Sequence, residues 1–184
     1  LGGTNLSDGA SMGIHESQSL FYENFIGRHQ SFWTRYFDKI KEASPDQFAG
    51  VTAEGFYRAV NESKPSLIRI EADELTYPLH IMIRYEIEKA IFSGEVSVGD
   101  LPKLWNDKYE AYLGITPPDD AKGILQDVHW SGGDFGYFPS YALGYMYAAQ
   151  LKSSMLKDLP EFDRLIENGD FQPIRKWLTE HVHI

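Results

Sequence analysis

Cysteine is absent from the chain. That excludes disulfides, cysteine-bound zinc and thiol catalysis, and it fits a reducing compartment, the cytoplasm. Long apolar runs are also missing: no stretch reaches the roughly 20 residues that a membrane span needs. Basic runs are missing as well. Seventeen Lys and Arg stand against 27 Asp and Glu, for a formal net charge of -10. Such a surface repels nucleic-acid phosphates and anionic lipid heads, so neither nucleic acid nor a membrane is expected as a partner. The opening residues, Leu1-Gly2-Gly3-Thr4-Asn5, lack the basic-then-apolar order of a secretion signal and have no initiator Met. The closing stretch from Trp177 to Ile184 carries no helix stop. Both ends read as cuts inside a longer protein.

What is present is a 184-residue chain, long enough for one real core, with 11 Tyr and 11 Phe to fill it. Residues 1–12 read as loop. Ile14, Phe21, Phe25, Phe32, Tyr36 and Ile40 recur at helical spacing, which predicts a helix from Gly13 to about Ala43. Gly27 marks a bend in it and Pro45 ends it. Thr52 is a good N-cap for a helix from Ala53 to Asn61. Leu67 to Glu71 alternates apolar and polar residues and reads as a short strand, half of a small hairpin. Asp73 opens a helix through Tyr77, His80, Ile81, Arg84, Ile87, Glu88 and Ile91 to about Phe92. Asp100 caps the next, with Pro102 in its first turn, and Gly114 to Pro118 stop it. Residues 119–136 are mixed and end rich in glycine. Pro139 to about Leu156, Pro160 to Gly169, and Pro173 onward complete the helices. The fold class is mainly α, with a very small β element near Leu67-Glu71.

Four segments put polar groups where a bare core would not want them. Gly13-Ile14-His15-Glu16-Ser17-Gln18-Ser19 places Glu16, Ser19 and Glu23 on one helix face. A carboxylate there can ligate zinc, or it can be a solvated or capping side chain. Ile68-Arg69-Ile70-Glu71-Ala72-Asp73-Glu74 offers an Arg suited to a bidentate grip on a carboxylate, or to an internal ion pair. Gly123-Ile124-Leu125-Gln126-Asp127-Val128-His129-Trp130 offers a His that can serve an oxyanion or act as acid or base, or that is satisfied by a backbone carbonyl. Gly136-Tyr137-Phe138-Pro139-Ser140-Tyr141 brings tyrosine hydroxyls to a helix start, where core filling is the alternative.

Together, and in order, these segments resemble the HES, IRxxAD, GxxQDxHW and GYFPxY motifs of the M32 metallocarboxypeptidases. The resemblance runs along essentially the whole chain. It implies a multi-helix, zincin-like catalytic domain of which residues 1–184 are the C-terminal portion. In that family two histidines of an HExxH helix and one downstream Glu hold zinc, so Glu16 is implied as the third metal ligand, with His15 and Gln18 as its neighbours. Cobalt is a possible substitute for zinc. Arg69 is implied as the clamp on the substrate's terminal carboxylate. His129 and Tyr137 are implied as catalytic groups that stabilise the tetrahedral intermediate, with Tyr141 as the reserve substrate-binding tyrosine. The implied substrates are peptides with a free C-terminal carboxylate, and the implied assembly of the full-length enzyme is a homodimer in the cytoplasm.

HExxH itself is absent: His15-Glu16 is followed by Ser17-Gln18-Ser19. By the resemblance it lies upstream of Leu1, so the isolated chain is expected to be inactive and to bind no metal specifically. Three other readings compete. A non-enzymatic helical interaction module explains the aromatics but not the ordered motifs. A di-iron carboxylate bundle needs two Glu-x-x-His motifs, and only Glu180-His181-Val182-His183 comes near. A glycosidase built on Glu71 and Asp73 has only their proximity in its favour.

Overall fold

The sequence folds into helices that divide between two contact units, one made of residues 1–62 and 144–184 and the other of 63–143. Residues 3–4 and 9–183 are described by this computed structural model. Half of the N-terminal stretch expected to be loop, and the last residue, therefore lie outside the described residues. The helices are α1 (Met12–Tyr22), α2 (Gln30–Ala43), α3 (Ala53–Val60), α4 (Tyr77–Ser93), α5 (Leu101–Leu113), α6 (His129–Gly132), α7 (Pro139–Asp158), α8 (Phe162–Asn168) and α9 (Gln172–His181). No strand occurs among the described residues, and none of their helices is long and apolar enough to cross a membrane.

In the first unit, Ser11 caps α1 by accepting a hydrogen bond from the Ile14 N–H at 3.2 Å. The single helix expected from Gly13 to Ala43 is in fact two. A π-turn, Glu23–Gly27, widens the end of α1, and the extended backbone of His29 then separates it from α2. His29 restarts the helix itself, its ring nitrogen accepting from the Ser31 N–H at 3.2 Å. Glu23, still helical at the C-cap of α1, pairs with Arg28 at 3.0 Å. Thr52 caps α3 as expected, through the Gly55 N–H at 3.0 Å. The core joins Leu20 and Phe21 of α1 and Ile26 to Ala148 and Met155 of α7, then to Phe162 and Ile166 of α8 and Ile174, Trp177 and Leu178 of α9. Each fully buried side chain of this kind contributes about 1.5–3 kcal/mol.

In the second unit, Ile83 and Ile87 of α4 pack on Leu101, Trp105, Tyr109 and Leu113 of α5. Three expectations fail here. Leu67 to Glu71 is not a strand: Arg69–Glu71 is a single 3-10 turn. A strand needs a ladder partner, whereas the Leu67 carbonyl accepts from the Tyr109 hydroxyl at 3.1 Å and from the Gln126 amide at 2.9 Å. Arg69 is buried and Ile70 is 75% exposed, the reverse of an apolar-inward pattern at these two positions. The helix expected to open at Asp73 opens at Tyr77. Asp73 instead knots the preceding turn. Its carboxylate accepts from the Ser63 and Thr76 hydroxyls and the Lys64, Leu75 and Thr76 N–H groups at 2.8–3.0 Å; burial opposes its charge, but the bonds from Thr76, Ser63 and Lys64 outweigh it and hold its pKa well below the usual carboxylate range. Asp100 sits at the start of α5 without capping it, and accepts from the Ser97 hydroxyl at 2.6 Å.

Candidate active site

Helix α4 supplies the floor of a polar cluster. His80, Arg84 and Glu88 follow one another at i, i+4 and i+8, so they share a face, and all three are buried. A buried charge is tolerated only when paired and hydrogen-bonded, and the loop before α6 provides the partner. Asp127 accepts from Arg84 Nε at 2.6 Å through one oxygen and from Arg69 Nη2 at 2.7 Å through the other. Burial works against that carboxylate's charge, but the bond to Arg69 and the Arg84 charge outweigh it and lower its pKa. The Arg69 pKa is raised for the complementary reason: burial opposes its charge, and the Asp127 bond prevails.

Gln126 completes the frame. Its amide oxygen accepts from the Arg69 backbone N–H and from Arg84 Nη2, each at 2.9 Å. Arg69 also donates from Nη1 to the Tyr77 hydroxyl at 2.8 Å, and its guanidinium carbon lies 4.9 Å from the centre of the Tyr141 ring. Arg84 stacks on Trp105 at 4.6 Å. These are the geometries that suit a weakly hydrated guanidinium to an aromatic wall.

On this frame the structure brings together four of the residues singled out in the sequence: Arg69, His129, Tyr137 and Tyr141. His129 Nε2 lies 3.1 Å from the Tyr141 hydroxyl, and its Nδ1 lies 3.9 Å from Asp127. Its ring centre is 5.5 Å from that of Tyr137 and 4.5 Å from that of Phe138. Burial and the Arg69 charge push the His129 pKa down, against the pull of Asp127 and Asp134. A neutral imidazole bonded to a tyrosine hydroxyl can move a proton between the two.

Glu16, His15 and Gln18 stand on α1 of the other unit. Glu16 and Gln18 are half-buried and His15 is exposed. Gln18 donates to the Ser17 hydroxyl at 3.0 Å and its amide oxygen meets His183 Nε2 at 3.0 Å. The residues present do not build a zinc centre by themselves, because among the described residues no group of three or more His, Asp or Glu side chains could hold a metal ion. Glu16 is one oxygen donor, where a thermolysin-type site uses two His and a Glu.

Arg84, Glu88 and Tyr77 belong to the cluster and were not singled out by the motifs. The signal was available: charged side chains at i and i+4 inside the run of Ile81, Ile83 and Ile87 require a buried partner. Gln126 and Asp127 lie inside a segment that was singled out, yet only its His129 was given a role.

Fold and cluster together define an all-helical chain with a charged, buried polar centre. The family described as carboxypeptidase Taq (M32) metallopeptidase matches residues 1–184. The chain belongs to this M32 family. It is 77% identical to Carboxypeptidase 1 of Bacillus subtilis (strain 168), over 100% of its own length and 37% of that protein. It is 46% identical to Thermostable carboxypeptidase 1 of Thermus thermophilus, over 98% of the chain and 35% of that relative. The solved structure named "BsuCP Crystal Structure" superposes with a TM-score of 0.95 at 77% identity, covering 99% of this chain and 37% of the other. That of Pyrococcus furiosus carboxypeptidase superposes with a TM-score of 0.92 at 43% identity, covering 98% and 36%. The chain thus spans little more than a third of the length of the relatives it matches.

Proposed function

We propose that residues 1–184 are the C-terminal portion of the catalytic domain of a metallocarboxypeptidase that releases single amino acids from the C-terminus of peptides. The observation that carries this reading is the Arg69–Asp127–Arg84 cluster beneath the His129–Tyr141 pair, in a chain of the M32 family. Two guanidiniums sharing one carboxylate favour a further anion, and a peptide's terminal carboxylate is one. Asp127 occupies the Nε edge of Arg69, so the clamp on substrate is proposed for its other edge, beside the Tyr77 hydroxyl. Tyr141 helps to hold the terminal residue. His129 and Tyr137 donate toward the oxygen on which negative charge develops as the peptide carbonyl is attacked.

The proposed cofactor is zinc, with cobalt as a working substitute, held by Glu16 together with ligands from outside these residues. Within the parent, His15 and Gln18 orient the metal-binding segment. A cytoplasmic enzyme is proposed, which accords with a cysteine-free sequence, and a homodimer is proposed from the family resemblance alone. The isolated chain is proposed to be inactive, because a single carboxylate cannot do the work of a three-ligand site.

The test is release of C-terminal amino acids by the full-length enzyme. Substituting His129→Ala is expected to lower kcat about 100- to 1,000-fold, the usual effect of losing one oxyanion donor. Arg69→Ala is expected to raise KM steeply as well. Tyr141→Phe, which removes the hydroxyl 3.1 Å from His129, shifts the acidic limb of the pH–rate profile. An interaction module with no catalytic role predicts unchanged rates in all three variants.

A further inference from the structure

Glu88 has no place in the roles assigned above, yet it is 5% exposed and bonded both to Trp130 of α6 and to the glycine-rich turn that follows it. One carboxylate oxygen accepts from the indole N–H of Trp130 at 2.7 Å, and the other from the backbone N–H of Gly136 at 3.1 Å. Trp130 directly follows His129, and Gly136 directly precedes Tyr137. Between the two anchors run Ser131, Gly132, Gly133, Asp134 and Phe135. Gly133 and Gly136 have φ of +87° and +75°, a left-handed conformation that glycine adopts readily and that leaves the chain much freedom to lose. Helix α6 and its cap order the start of this segment, the Asp134 N–H donating to the His129 carbonyl at 2.8 Å, and the bond from Gly136 to Glu88 ties down its far end.

The rings have contacts of their own, His129 with the Tyr141 hydroxyl at 3.1 Å and with Phe138 at 4.5 Å, while Glu88 ties together the two backbone stretches that carry them. The Trp130 ring stacks on Phe135 with centroids 6.3 Å apart and meets Trp105 edge-on at 5.9 Å, contacts that fix the plane of the indole but not its slide. A charge-assisted hydrogen bond is directional and roughly twice as strong as a neutral one. Both carboxylate oxygens are engaged by neutral N–H donors, on a helix whose face also carries Arg84 and His80. A carboxylate accepts on both oxygens; an amide cannot, since its nitrogen would face a donor.

We infer that Glu88 is a positioning residue: by tying Trp130 to Gly136 it sets the distance between the His129 and Tyr137 rings. This rests on the proposed function only for its effect on rate.

Glu88→Gln, nearly isosteric, is tested in the full-length enzyme beside Trp130→Phe, which removes the indole bond alone. Crystal structures give the separation of the two rings, and kinetics give kcat and KM. In Glu88→Gln the rings are expected to move by roughly 1 Å from their 5.5 Å spacing. kcat is expected to fall on the order of 100-fold, as misplacement of that size costs, while KM changes little. Trp130→Phe gives a smaller loss of the same kind, and the two combined lose less than the product of the separate effects. Ring spacing unchanged in both variants overturns the inference, whether or not kcat falls. Rings displaced with kcat unchanged uphold it and overturn instead the catalytic role of the His129–Tyr137 pair. Should Glu88→Gln fail to fold, the ring spacing in Trp130→Phe decides alone.

Discussion

Gly144 of α7 lies directly against the stem of Glu16 on α1. A Cβ at that glycine would stand 3.1 Å from Glu16 Cβ, 3.2 Å from its Cγ and 3.0 Å from Leu20 Cδ1. The two helices approach this closely only because the side chain is missing. The Leu20 methyl can turn aside, but a Cβ on a helix cannot, so any larger residue must part the helices by a few tenths of an ångström.

Gly144→Ala therefore sets two effects against each other. Overpacking costs about 1–3 kcal/mol, and the better helix propensity of alanine returns about 1 kcal/mol. The expected net result is a loss of roughly 1 kcal/mol, read from the midpoint of urea unfolding. A gain in stability would mean that α1 and α7 do not pack this tightly.

Asp127 is the shared counter-ion of Arg69 and Arg84, at 2.7 and 2.6 Å. Removing one member of a buried ion network leaves charge uncompensated and typically costs about 3–5 kcal/mol. Asp127→Ala is expected to lose that much in chemical denaturation. Asp127→Asn, which keeps an acceptor for one arginine, loses less. Equal and small effects from both substitutions would show that the arginines are neutralised by something else.

His80 makes stability depend on pH. Burial, then the charges of Arg84 and Arg69, push its pKa from 6.5 to about 4. The unfolded chain takes up a proton as pH falls below about 6.5, whereas the folded chain resists until about 4. The folded state is thus fully favoured above that window and loses roughly 3 kcal/mol as pH falls through it. Urea unfolding at pH 7 and at pH 4.5 measures the slope. His80→Gln is expected to flatten it, and an unchanged slope would remove His80 as its source.

Much of this was legible in the sequence because it is set locally. The Thr52 cap, the end of α4 near Phe92 and the helical period of α7 depend on neighbours a few residues away. The four polar segments were legible as motifs. Two of the misreadings, at Asp73 and at Leu67 to Glu71, lie where a more distant group decides. Asp73 looked like a helix start, but Ser63 and Lys64 claim its carboxylate. Leu67 to Glu71 had the alternation of a strand, but no second strand exists to pair with it among the described residues. Arg69 was equally suited to substrate or to an internal acid, and proximity to Asp127, 58 positions along the chain, answers for its Nε edge.

The amino-acid order by itself determined a mainly helical chain, an acidic and cysteine-free surface, and the ordered segments by which the family is known. Periodicity, capping and composition act over one or two turns, so they can be read without coordinates. Only the tertiary structure decided that Arg84 and Glu88 join the polar centre, that one carboxylate serves two arginines, and that His129 meets Tyr141. Buried charges and donors must find partners wherever the packing puts them, and no local rule names those partners in advance.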